Sequence, residues 1–137
     1  MRLTFSFILM MITTFVWVAN QQFAYEPSVV DLKGIIRTQI FPGPPGYESV
    51  KNGDIPEKAI FLDLNAPIDV IPAKNETHEL SVPEKSVNTV QVAIMNNEDW
   101  QKVKDGKQFR IQGTFFHEHT AHHHAKILIS VAKIKEC

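Results

Sequence analysis

The sequence predicts a mainly β fold: a small five-stranded Greek-key barrel with one short helix, preceded by an N-terminal signal segment. Three observations predict it. Apolar and polar residues alternate with a period of two through much of the chain, and the elements run in the order three strands, one helix, two strands. Glycines also interrupt the strands where a small barrel must bend.

The chain opens with Arg2 and an apolar stretch from Phe5 to Val18, broken only by Ser6, Thr13 and Thr14. This has the charge and length of an export signal and is short for a membrane span. Residues 1–24 are expected to be that signal, cut after Ala24, with Ala19 as the rival position. Gln22 and Trp17 stand third before the respective cuts, and neither is the preferred small residue. An uncleaved anchor is the remaining alternative. No cysteine follows the apolar run, so no lipid anchor is indicated.

Residues 25–137 then form one domain, large enough to bury a core without staples. Without Arg2, 13 basic residues face 15 acidic ones, a formal charge of −2. That balance argues against a nucleic-acid partner, because phosphate neutralisation needs clustered Lys and Arg. Cys137 is the only cysteine and cannot form an intramolecular disulfide.

Val30, Leu32, Gly34, Ile36 and Ile40 define the core face of the first strand, with Asp31, Lys33, Arg37 and Gln39 opposite. Gly34 in mid-strand marks a bend or bulge. Ile60, Leu62 and Leu64 against Phe61, Asp63 and Asn65 give the second strand, with Ile68–Ile71 a short continuation. Residues Pro72 to Ser86 read as an irregular excursion. Val90, Val92 and Ile94 mark the third strand. Asn96 and Asn97 are good helix caps, Glu98 and Asp99 suit the helix dipole, and Gly106 is placed to end that short helix. Phe109, Ile111, Gly113 and Phe115 form the next core face; Ile127, Ile129 and Val131 form the last. Three strands, a helix and two strands, with a long first loop, match an oligonucleotide/oligosaccharide-binding (OB-like) barrel. A small open sandwich is the near alternative.

Two regions concentrate chemistry. His117-Glu118-His119-Thr120-Ala121-His122-His123-His124 holds five of the six histidines in eight residues. Pairing the last two strands so that Phe115 opposes Ala125 places His117 opposite His123 on the core side, with His119 following. Three imidazoles at a barrel mouth would suit zinc, copper or nickel, with His122 and His124 as alternates. A solvated turn whose imidazoles bond to backbone is the plain structural alternative, and His78 is expected to be exposed. The second region runs from Phe41-Pro42-Gly43-Pro44-Pro45-Gly46-Tyr47-Glu48-Ser49 to Gly53-Asp54 and Glu57. Its prolines stiffen the connection while its glycines permit turns, as in binding loops. Tyr47, Glu48, Ser49, Asp54 and Glu57 could meet a partner. In the structural alternative Tyr47 packs and Asp54 caps a turn. No nucleophile elbow or phosphate-cradling loop occurs, so catalysis has little support.

The Tyr25-Glu26-Pro27 start, Val30-x-Leu32-x-Gly34, Gly43-Pro44-Pro45-Gly46-Tyr47-Glu48-Ser49, Gly53-Asp54, Gly113-Thr114-Phe115-Phe116 and His122-His123-His124 resemble the exported bacterial family known as domain of unknown function 4431. The resemblance covers nearly the whole of residues 25–137. It implies a Gram-negative envelope protein and carries no activity. Related chains often hold cysteines near the start and middle of the domain, which this one lacks.

The leading expectation is a periplasmic or secreted binding module that catalyses nothing. It would contact an envelope protein or glycan through loop 41–57 and hairpin 117–124, with no membrane span after signal removal. A metal-binding envelope protein using His117, His119, His123, His122 and His124 is the alternative. A hydrolase built on Glu48, Asp54 and Glu57 is the third.

Overall fold

The structure, a computed structural model, describes residues 8–137; Arg2 and the opening of the expected signal lie outside the described residues. Residues 8–19 form neither helix nor strand. Among the described residues, no helix is long and apolar enough to cross a membrane. The elements are β1 (Gln21–Ala24), β2 (Val29–Pro42), β3 (Pro56–Ile71), β4 (Glu84–Ala93), α1 (Asn97–Lys102), β5 (Gln108–His117) and β6 (Ile127–Glu136). The fold is therefore mainly β with one short helix, as the alternation predicts.

All six strands join one sheet in the order β1-β3-β2-β5-β6-β4, and β3 pairs again with β4. The β1–β3 and β4–β6 pairs are parallel and the others antiparallel. Six strands replace the expected five because Gln21–Ala24, inside the stretch assigned to the signal, adds a strand to β3. Four residues beside an apolar leader carry too little alternation to announce themselves. Phe23 nevertheless packs edge-on against Phe115, with ring centroids 6.1 Å apart.

Val30, Leu32 and Ile36 are buried, as the period-two pattern requires. Gly34 pairs with Leu64 on one side and Phe109 on the other. A Cβ there would lie 2.3 Å from the Asp63 carbonyl oxygen, so only glycine lets the strands approach. Ile40, expected in the core, is 58% exposed. Its strand has by then outrun β5, whose pairing with β2 ends at Ile35.

The two predicted pieces at 60–71 are one strand, with its β4 register shifted between Asp63 and Ile68 around Pro67. Phe61, expected on the solvent face, is buried. Phe41 covers it edge-on at 6.1 Å and the Arg37 guanidinium sits 4.6 Å above its ring. A small aromatic layer thus lies outside the sheet. β4 starts at Glu84, within the region read as irregular. Asn96 caps α1, its side chain accepting the Asp99 amide at 2.9 Å, and Gly106 takes a positive φ beyond the helix.

The last hairpin pairs differently from expectation. Phe115 opposes Ile129, and His117 opposes Ile127 rather than His123. The connection is a long loop closed by Glu118 N–H donating to the Lys126 carbonyl. Between the bulge and His117 the register differs from expectation by four residues, which leaves Ile127 and Ile129 on the core face that the alternation predicts. A bulge between Gln112 and Gly113 leaves Ala132 unpaired and turns Ile134 inward.

Candidate functional site

The β2–β3 connection is built around one carboxylate. Asp54 accepts the backbone N–H groups of Gly46 at 2.7 Å, Glu48 at 2.8 Å and Ser49 at 2.9 Å. Those bonds, Ser49's foremost, hold its carboxyl below the usual range. Gly43 N–H donates to Ile55 O at 2.7 Å and Ile55 N–H to Pro44 O at 2.8 Å, closing the base of the loop. Tyr47 stands at the crest with φ +58°, the left-handed region that non-glycine residues rarely adopt. The loop's order thus comes from its own hydrogen bonds and prolines. Its entropy is lost on folding, so little remains to be lost on binding.

The histidine loop is anchored from beneath by Gln91 on β4, a buried polar residue. Its amide nitrogen donates to the His122 carbonyl at 3.0 Å, and its amide oxygen accepts the His124 N–H at 2.6 Å. Phe41 stacks on the His124 ring at 3.8 Å, which ties the same loop to the outer aromatic layer. The two regions then meet directly. The His122 Nδ1 lies 2.8 Å from a Glu57 oxygen, and its Nε2 lies 3.2 Å from the Tyr47 hydroxyl. Residues 41–57 and 117–124 therefore form one continuous surface.

The other imidazoles have separate tasks. His117 bonds Glu84 on β4 at 3.0 Å. His119 and His123 meet edge-on, centroids 4.8 Å apart, and both pack against Phe116. His123 Nδ1 accepts the N–H of His119 at 2.9 Å and of Thr120 at 3.3 Å. Burial and then the neighbouring imidazoles lower the His123 pKa below its ordinary value. His117, His119 and the exposed His78 line a cavity of about 250 Å³ with Tyr25, Phe115 and Phe116. Among the described residues, no group of three or more His, Cys, Asp or Glu side chains is arranged to hold a metal ion. His117, His119 and His123, expected to converge, are instead each engaged with a carboxylate, a carbonyl or amides.

Glu57, His122 and Tyr47 form a carboxylate–imidazole–hydroxyl chain, the geometry by which a base activates a nucleophile. It lies on an exposed ridge, with 57% of the His122 side chain open to solvent. Asp54 is engaged with backbone amides, and Ser49 Oγ accepts the Asn52 N–H at 3.3 Å. Glu48 is exposed beside Tyr47.

The stretch from β4 to β6 that carries the histidine loop decides the family comparison. Residues 89–135 match the family described as Domain of unknown function (DUF4431). The resemblance read from the sequence is borne out over that stretch, which takes in Gln91 and the whole histidine loop; loop 41–57 lies outside the matched DUF4431 residues. No curated protein and no solved structure matches the chain.

Sequence reasoning found Tyr47, Glu57 and His122 but not the residues that join them. Gln91 stands between Val90 and Val92 as an ordinary outward polar residue. Phe61 did carry a signal: an aromatic on the polar face of a strand indicates a second layer, and Phe41 and His124 supply it.

Proposed function

We propose that this protein is a non-catalytic binding module of the bacterial envelope, an OB-like five-stranded barrel that grips a protein partner through loop 41–57 and hairpin 117–124. The observation that carries the reading is the Tyr47–His122–Glu57 contact, which merges two distant segments into one preorganised surface. Ile40, Val50 and Ile55, 58%, 42% and 61% exposed, flank it with apolar area. Exposed apolar residues beside an ordered loop favour a protein over a glycan. The ring of pairings from β3 through β2, β5, β6 and β4 back to β3 supports the barrel. The parallel β4–β6 pair, with α1 leading into β5, supports the OB-like connectivity. Export rests on the apolar N-terminal run.

The test is capture from envelope extract by the wild-type chain and by Tyr47→Ala and Glu48→Ala. The same partner should be retained by wild type and lost by both variants. Retention of every captured protein by both variants would remove loop 41–57 from the contact surface.

A further inference from the structure

We propose, resting on the reading above that the chain is exported, that it is cut between Ala19 and Asn20, so that the mature protein begins at Asn20 and keeps β1. Alanine precedes both possible cuts, and the residue three before each is unsuitable, so the sequence's preference for the cut after Ala24 is slight. The fold favours the other.

From Asn20 onward every residue up to the core is engaged. The Asn20 side-chain amide donates to Asp69 Oδ1 at 3.0 Å and to Ser86 Oγ at 3.1 Å. Asp69 also accepts the Ser86 N–H at 3.0 Å, so Asn20 completes a junction between β3 and the start of β4. Gln21, Gln22, Phe23 and Ala24 then pair in unbroken parallel register with Ile68, Asp69, Val70 and Ile71. Phe23 packs against the core. Tyr25, only 1% exposed, donates its backbone N–H to the Ile71 carbonyl at 3.0 Å.

A cut after Ala24 would strip this strand from β3 and leave its backbone groups unpaired on that side. It would also turn the Tyr25 amide into a charged ammonium whose acceptor is the uncharged Ile71 carbonyl, which is costly at so buried a residue. Ahead of Asn20 the situation reverses. The large apolar residues from Ile8 to Val18 are 78% to 90% exposed and belong to neither helix nor strand, so they add no burial to the fold.

The reaction is a peptide hydrolysis by an envelope endopeptidase of the signal-peptidase class. Water breaks the Ala19–Asn20 bond; its hydroxyl goes to the Ala19 carbonyl carbon and its proton to the Asn20 nitrogen.

The experiment is to express the full chain in a Gram-negative host, purify it from the envelope fraction, and determine its intact mass and N-terminal sequence. The expected N-terminus is Asn20. Ala19→Leu should block that cut and leave a heavier precursor, whereas Ala24→Leu should leave the Asn20 terminus unchanged. A Tyr25 terminus, retention of residues 1–19 by the wild-type chain, or a block caused by Ala24→Leu alone would overturn the proposal. As a check independent of processing, a chain started at Tyr25 should melt roughly 5 °C or more below one started at Asn20. Equal midpoints would show that β1 is dispensable and remove the structural argument.

Discussion

Gln91→Met removes the two hydrogen bonds that seat the histidine loop while keeping the side chain's length. The amide nitrogen loses the His122 carbonyl and the amide oxygen loses the His124 N–H, at a position only 8% exposed. Two buried bonds at about 0.5–1.5 kcal/mol each give a loss of about 1–3 kcal/mol. For a domain of this size that is a fall in Tm of roughly 4–12 °C. If the loop opens without global unfolding, the loss appears locally. The His124 amide should then exchange with solvent roughly 5- to 150-fold faster, since each 1.4 kcal/mol is tenfold. Amides in β2 should be unaffected in that case. Thermal denaturation and amide exchange together cover both routes. If Tm and His124 exchange both match wild type, Gln91 is not the anchor and the loop is held from elsewhere.

Protonating His123 should release its loop. Its folded pKa is lowered, so the unfolded chain binds the proton more readily and stability falls as pH drops below about 6.5. Its Nδ1 must also stay unprotonated to accept the His119 and Thr120 amides. An NMR titration should place the His123 midpoint below 6.5; a midpoint at or above that value contradicts the geometry. Gly34→Ala should destabilise the protein by roughly 1–3 kcal/mol, because the added Cβ meets backbone at 2.3 Å. A change in denaturation midpoint equivalent to under about 0.5 kcal/mol would show that β2 and β3 can separate freely there.

The strands were legible because one face of each is buried, and burial on one face writes itself as alternation: Val30, Leu32 and Ile36, or Phe109, Ile111 and Phe115. The helix was legible from its cap, since Asn96 has a local task that no tertiary contact alters. The hairpin register was not. A shift of four residues preserves every inward and outward side chain, so alternation cannot separate His117 opposite His123 from His117 opposite Ile127. The site was half legible. Proline, glycine and histidine marked the two loops, but their meeting depends on Phe61, buried against its pattern, and on Gln91, whose partners lie about thirty residues away. β1 was hidden by its neighbours, an apolar leader on one side and the buried Tyr25 on the other.

The most direct test of the single binding surface is site-specific photocross-linking in the envelope, with benzoyl-phenylalanine placed in turn at positions 48, 121 and 133. Positions 48 and 121 are exposed in the two loops, and 133 lies on β6 outside them. One cross-linked species common to positions 48 and 121 and absent at 133 is the predicted result. No product at 48 and 121, or the same product equally at all three positions, would contradict it.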